Sequence, residues 1–140
     1  MSDADRGAAL LRRWNECGWY RTVGMRVTRA DEAGSEMALE VTPALLQAYG
    51  TAHGGAVAGL IDAAMGLAIL GRLPGGEGCA TVEMKLNFTA PAPPGTLRAR
   101  GRVLHEGRRT VVAAAEAEDA EGRMVACGQG TFQRFAEPAP

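Results

Sequence analysis

The chain has 140 residues, 46% of them hydrophobic and 22% charged, a composition that is typical of one globular domain and excludes a disordered chain or a collagen-like repeat. Fifteen Lys and Arg residues against sixteen Asp and Glu residues give a net charge of −1, which lacks the basic excess of a nucleic-acid-binding protein. Three widely spaced cysteines without a CxxC pair predict no disulfide framework and no metal site, and favour a reducing, cytoplasmic setting.

The N-terminal region predicts a surface helix. Ala8, Leu11 and Trp14 recur at a spacing of three, so we expect residues 1–21 to form an amphipathic cover helix followed by a loop. The acids ahead of its first apolar residues argue against a secretory signal. Residues 22–42 alternate on both sides of the turn-forming sequence DEAGS and predict a β-hairpin.

Residues 54–71, GGAVAGLIDAAMGLAILG, form the most apolar stretch of the chain. The stretch is about long enough to cross a bilayer, but Asp62 in its middle makes insertion costly, and we expect no membrane span. Its Ala, Leu and Met residues favour a helix, and Pro74-Gly75-Gly76 stops it. A helix that is apolar on every side has to be enclosed by the rest of the fold.

The remaining sequence predicts four strands joined by Gly- and Pro-containing turns. They cover residues 81–89, a segment around Leu97, and residues 110–118 and 123–135, and residues 136–140 are expected to be a loose tail. The first strand is predicted to be half-buried, because apolar side chains occupy every second position. These side chains are Val82, Met84, Leu86 and Phe88.

These elements predict an α+β fold in a single domain that comprises residues 1–140. The apolar helix needs a cover, and a curved antiparallel sheet with one apolar face is the partner that this chain offers. Asp62 is the one ionisable side chain of that helix. A buried carboxylate pairs with a cation, takes a raised pKa, or lines a cavity that water or a ligand reaches, so a structural and a catalytic role are both open.

The sequence TAHGG at residues 51–55 opens the same helix. Free amides and the positive end of the helix dipole suit a carbonyl oxygen that gains negative charge, although a closely packed helix start is the alternative. His53 precedes Asp62 by nine residues, about two and a half turns, so one helix cannot easily bring both to one substrate atom. Two antiparallel helices from two subunits can do so.

The segment GTAHGGAVAGLIDAAMG, residues 50–66, resembles the hotdog-fold acyl-CoA thioesterases of the phenylacetate-degradation (PaaI-like) type. ATVEMKLNFTAPAPPGTLRARGRV and EDAEGRMVACGQGTF resemble later strands of that family, and the resemblance covers about residues 22–135. It implies the hotdog fold, in which a curved antiparallel sheet wraps around one long central helix and subunits dimerise through sheets and helices.

The resemblance also implies roles for individual residues of the helix. Asp62 would attack the thioester carbonyl or activate a water molecule for that attack. The amide of Gly54 or Gly55 would bind the carbonyl oxygen, and His53 would order the start of the helix.

Two further roles fall outside the helix. Gln47, where many relatives have Asn and some related thioesterases have Gln, would donate to the thioester oxygen. Thr81 would orient the water or the substrate. Strict alternation nevertheless places Thr81 on the same face as Glu83 and Lys85, away from the apolar face.

Two exposed turn residues, Arg108 and Arg109, are predicted to contact the phosphates of coenzyme A. Three aromatic residues of the N-terminal region, in contrast, are expected to pack rather than to bind a ligand. These are Trp14, Trp19 and Tyr20.

The sequence therefore predicts a homo-oligomeric thioesterase, a dimer or a tetramer, that hydrolyses a small aromatic or medium-chain acyl-CoA. No cofactor is expected beyond the coenzyme A of the substrate. A non-catalytic acyl-CoA-binding module of the same fold is the alternative. A hotdog hydratase or dehydratase is less favoured, because neither a His followed by Phe-Pro nor an Asp-x-Asn-Pro-x-His sequence occurs.

Overall fold

The computed structural model describes residues 2–138 and contains a six-stranded antiparallel sheet around one long helix. The strand order is β1-β2-β4-β5-β6-β3, so β1 and β3 are the edge strands. The elements, in chain order, are α1 (Asp3–Asn15), α2 (Gly18–Val23), β1 (Met25–Asp31), β2 (Gly34–Val41), α3 (Gly54–Leu70), β3 (Glu77–Phe88), β4 (Gly95–Glu106), β5 (Thr110–Glu118) and β6 (Met124–Ala136).

The predicted central helix is α3, which contacts all six strands. Leu60, Ile61 and Met65 are fully buried between the helix and the inward face of the sheet. The sheet approaches α3 so closely near Gly101 that a Cβ atom there would collide with the carbonyl group of Ala64. Apolar side chains and a glycine contact thus hold α3 against the sheet.

The long apolar stretch at residues 54–71 also bears on the membrane prediction. Within residues 2–138, no helix is long and apolar enough to cross a membrane.

The N-terminal region differs from its prediction in one element. Helix α1 forms as expected, but a second helix, α2, replaces the expected loop. Its sequence, GWYRTV, has weak intrinsic helix propensity. Tertiary packing stabilises it instead, because Tyr20 and Val23 are buried and the Tyr20 ring lies 5.7 Å from that of Trp14.

Strand bounds and the C-terminal tail also differ from their predictions. β3 begins at Glu77, four residues before the predicted start, and β6 includes Ala136. The next residue, Glu137, is not loose, because its carboxylate forms a 2.8 Å ion pair with Arg13 of α1. Residues 139–140 of the predicted tail lie outside the described residues.

The two edge strands of the sheet differ in whether the rest of the chain covers them. At β1, the Asn15 side chain accepts a hydrogen bond from the Val27 amide at 2.9 Å and donates one to the Val27 carbonyl oxygen at 3.0 Å, much as a neighbouring strand would. At β3, Val82 is 61% exposed and Phe88 is 57% exposed. Met84, on the same predicted face, is 36% exposed, so the prediction that this face is buried is wrong for three of its four residues within one chain. Alternation identifies an apolar face but not the element that covers it.

Candidate active site

The carboxylate of Asp62 projects from the one face of α3 that the sheet leaves open. Gly55, Gly59, Asp62 and Gly66 recur at the spacing of a single helix face, and all four are at least partly exposed. The expectation that α3 is enclosed on every side is therefore wrong for this face. Asp62 is half-buried, and the three glycines on this face have no side chains that could cover it further.

Thr81 orients the Asp62 carboxylate. Its hydroxyl Oγ1 donates a 2.7 Å hydrogen bond to Asp62 Oδ1. The geometry depends on a β-bulge, since Thr81 pairs with Phe132 and Glu83 already pairs with Thr131. One extra residue, Val82, thus reverses the alternation. The strict alternation that placed Thr81 away from the helix is wrong for this reason.

Two other potential nucleophiles lie near Asp62, and both are held in their protonated forms. Burial, with a smaller contribution from the charge of Asp62, raises the pKa of the Cys79 thiol to about 12. Burial also raises the pKa of the Tyr20 hydroxyl, with further contributions from Cys17 and Asp62. Neither group is therefore a competing anionic nucleophile at neutral pH.

Unlike these two groups, Asp62 carries a carboxylate, and no cation of the described residues pairs with it. Among residues 2–138, its recorded hydrogen bond is the one from Thr81, and no Lys or Arg side chain forms an ion pair with it. The structural alternative, in which an arginine neutralises Asp62, is therefore not the arrangement in this chain. A carboxylate that is open on one side and held on the other can act on a bound substrate.

His53 caps the start of α3 with its side chain. The ring atom Nδ1 accepts a 2.8 Å hydrogen bond from the Gly55 amide. Of the two predicted oxygen-binding amides, the Gly55 amide is therefore already engaged. The Gly54 amide has no hydrogen-bond partner within the described part of the chain, and it remains the available donor for a ligand.

Gln47 and Gly54 meet in a groove of about 410 Å³ at the start of α3. The Gln47 side chain is fixed by its loop, since Nε2 donates to Thr51 Oγ1 at 2.7 Å and Oε1 accepts from the Tyr49 amide. Nε2 retains a second N–H for a ligand. The groove is otherwise mainly apolar, with walls that include Val57, Phe88 and Val125. A larger recess of about 550 Å³ lies between α1 and β1 and contains none of the predicted site residues.

The residues of the candidate site form two separate groups within one chain. One group is Gln47, His53 and Gly54 at the helix start, and the other is Asp62 with Thr81 at the helix middle. Gly54 and Asp62 are eight residues apart, which is about 12 Å along a helix axis. A single thioester carbonyl cannot contact both groups of the same chain.

The two arginines predicted for phosphate binding lie elsewhere. Arg108 and Arg109 occupy the turn between β4 and β5, next to Glu106, which pairs with Arg72 just after the end of α3. This turn is therefore near the end of α3 that is opposite Gly54. Both side chains are exposed, and neither forms an ion pair with another described residue.

Trp19 adds an aromatic side chain to the open face of α3. Trp14 and Tyr20 pack against each other as expected, whereas Trp19 is 55% exposed. Sequence reasoning could not place it, because α2 itself was not predicted.

Residues 49–126, more than half of the chain, match the family model of the thioesterase superfamily. This chain belongs to that superfamily. The match includes both Gly54 and Asp62, and the prediction of a thioester hydrolase is confirmed at the level of the family.

Two similar proteins are consistent with membership of the thioesterase superfamily. A protein of Halobacterium salinarum named as a candidate esterase is 31% identical over 96% of this chain and 97% of its own length. The structure of the conserved protein PA5202 of Pseudomonas aeruginosa is 32% identical, covers 89% of this chain and 98% of that chain, and has a TM-score of 0.83.

The E. coli PaaI protein from the phenylacetic acid degradation operon shares the fold, with a TM-score of 0.84 at 23% identity over 96% of this chain and 95% of that chain. The predicted hotdog fold is thus confirmed, and the predicted thioesterase family is confirmed by the match of residues 49–126.

Proposed function

We propose that this chain hydrolyses acyl-CoA thioesters to a carboxylic acid and free coenzyme A, in a site that two subunits build together. The observation that carries the proposal is the state of Asp62, which is open to a ligand, oriented by Thr81 and unpaired with any described cation. Membership of the thioesterase superfamily supplies the reaction class.

In the proposed mechanism, Thr81 holds Oδ1 of Asp62 and leaves Oδ2 to react. Oδ2 either attacks the thioester carbonyl, forming a mixed anhydride that water then hydrolyses, or takes a proton from the water that attacks. In both routes the carbon–sulfur bond breaks, coenzyme A leaves as a thiolate that is then protonated, and the acyl group gains a hydroxyl from water. The Gly54 amide stabilises the negative charge on the carbonyl oxygen, and Gln47 provides a second donor.

The partner subunit supplies the group that one chain cannot bring to the substrate. β3 is a long edge strand with exposed apolar side chains, a surface that favours pairing with another strand. A twofold arrangement that pairs β3 with the same strand of a second copy brings two α3 helices antiparallel. Asp62 of one subunit then lies near Gly54 of the partner subunit.

The proposal also covers the acyl group of the substrate, the residues that bind the coenzyme A phosphates, and the cellular compartment. Small aromatic or medium-chain acyl groups suit an open face of α3 that bears glycines and an exposed tryptophan. Arg108 and Arg109 are proposed to bind the phosphates of coenzyme A, since both are exposed and unpaired within the described residues. Three free cysteines favour a reducing cytoplasm.

Release of free thiol from a panel of acyl-CoA substrates tests the function. We expect the wild type to release coenzyme A and Asp62→Asn to lower kcat by about a hundredfold or more, because the amide is neither a base nor an anionic nucleophile. Glu116→Gln, which removes an exposed carboxylate from a β5 residue paired with Arg102, is the matched control.

Near-normal turnover of a folded Asp62→Asn variant would remove the mechanism. Binding of acyl-CoA without thiol release by the wild type would favour the non-catalytic binding module, and a change in enoyl absorbance without thiol release would favour a hydratase.

A further inference from the structure

The connection between β3 and β4 forms one wall of the groove at the start of α3. This proline loop, residues 89–94 with the sequence TAPAPP, contributes Pro91 and Ala92 to the groove that Gln47 and Gly54 also line. Three of its six residues are prolines, which have no N–H to donate. The middle of the loop is therefore attached to the rest of the chain mainly through its carbonyl oxygens.

One of these carbonyl groups connects the proline loop to the hydrogen-bond donors of the candidate site. The Ala52 amide donates a 2.8 Å hydrogen bond to the Ala92 carbonyl oxygen. Every other backbone hydrogen bond of residues 45–53 within the described chain joins residues between 42 and 57. Ala52 lies two residues before Gly54, so a shift of the proline loop would displace the start of α3.

The neighbouring carbonyl group is held by a charged turn between β5 and β6. Arg123 Nη2 donates to the Pro91 carbonyl oxygen at 3.3 Å, and Arg123 Nε donates to Asp119 Oδ2 at 3.1 Å. The Asp119 carboxylate is itself fixed, because Oδ1 accepts from the amides of Glu121 and Arg123 at 3.0 Å each. The Asp119 side chain is 3% exposed, so a buried anion orients the guanidinium group that holds the proline loop.

We propose that Arg123 is a positioning residue of the thioesterase site, which fixes the proline loop and thereby holds the Gly54 amide where the carbonyl oxygen of the substrate binds. This inference rests on the proposed function. Arg123 acts through the proline loop and Ala52, and it takes no part in the reaction itself. Because the Gly54 amide stabilises charge that develops in the transition state, a displaced amide lowers kcat more than it raises KM.

Steady-state thiol release by three variants tests the proposal. We expect Arg123→Ala to lower kcat about fivefold and to change KM less than about twofold. Asp119→Asn keeps an oxygen acceptor for the two backbone amides but cannot accept from Arg123 Nε, and it should cause a similar loss. Arg100→Ala is the matched control, because it removes an equally exposed guanidinium group that pairs with Glu118 at the end of β5. It should change neither constant.

A double-mutant cycle with Gly54→Pro separates positioning from general support of the fold. Gly54→Pro removes the N–H that Arg123 is proposed to position, so Arg123→Ala should lower kcat less than about twofold in this background. Equal losses with and without the Gly54 N–H, or an unchanged kcat in Arg123→Ala alone, would overturn the proposal. A loss that appears mainly in KM would also contradict it.

Hydrogen exchange of the Ala52 amide, measured by NMR, distinguishes failure of this proposal from failure of the proposed function. Arg123→Ala should speed this exchange about tenfold, because the Ala92 acceptor is no longer held in place, and Arg100→Ala should leave it unchanged. If the wild type releases no coenzyme A, the proposed function fails, and the exchange alone decides whether Arg123 fixes the proline loop. An Ala52 amide that exchanges at the wild-type rate in Arg123→Ala would overturn the positioning role.

Discussion

The start and the middle of α3 carry complementary chemistry. At the start, the Gly54 amide and the second N–H of Gln47 are hydrogen-bond donors without a formal charge. At the middle, Asp62 provides a carboxylate that a single hydroxyl orients. Thioester hydrolysis needs both kinds of group at one carbonyl. Because the two regions are about 12 Å apart in one chain, the proposed site takes one region from each of two subunits.

The two sheet edges differ in a way that supports the same interpretation. Asn15 and α1 close the β1 edge within the chain. The β3 edge keeps Val82 and Phe88 exposed, and Phe88 lies directly over Gly54, since a Cβ atom there would be 3.3 Å from Phe88 Cζ. The open edge therefore adjoins the donor half of the site.

Removal of the Gly54 N–H tests the hydrogen-bond donors at the start of α3 most directly. Gly54→Pro deletes this donor at the first helical position, where proline is well tolerated. His53, at φ −59° and ψ 137°, already has the backbone conformation that precedes proline. We expect kcat to fall by about a hundredfold, the effect of losing one oxyanion donor, with little change in the melting temperature.

Gly54→Ala is the control for this substitution, because it adds the same Cβ atom beside Phe88 but keeps the amide. It should retain most of the activity. Equal losses in the two variants would mean that space, and not the N–H donor, is what matters at this position.

Loss of the Thr81 hydroxyl should have a smaller effect on the carboxylate half. Thr81→Ala leaves Asp62 in place but removes the hydrogen bond to Oδ1, and we expect kcat to fall about tenfold while KM changes little. Thr81→Ser keeps the hydroxyl and should recover most of the rate. The steady-state rates of the two variants provide the measurement, and a Ser variant as slow as the Ala variant would assign Thr81 to packing.

Both halves of the site could be found from the sequence because their residues lie on one apolar helix. The length and composition of residues 54–71 predict α3, and Asp62 and the glycines stand out against that background. The orientation of Thr81 could not be predicted, since it depends on the bulge at Val82 and thus on the register between β3 and β6.

Helix α2 could not be predicted from the sequence either. Its six residues are helical because Tyr20 and Val23 are buried by distant parts of the chain, and local propensity carries no such information. The exposure of Trp19, and the engagement of the Gly55 amide by His53, follow from that tertiary packing and from side-chain geometry. The sequence thus predicts candidate reacting groups, but not the packing that surrounds them.

Subunit complementation tests the two-subunit site most directly. Asp62→Asn and Gly54→Pro chains with different affinity tags are co-expressed, and the mixed dimers are purified through both tags and assayed for thiol release. If each site combines Asp62 of one chain with Gly54 of the partner subunit, one of the two sites in a mixed dimer is intact, and activity returns to about half of the wild-type value. If both groups act within one chain, no site is intact, and mixed dimers as inactive as the two parents would contradict the account.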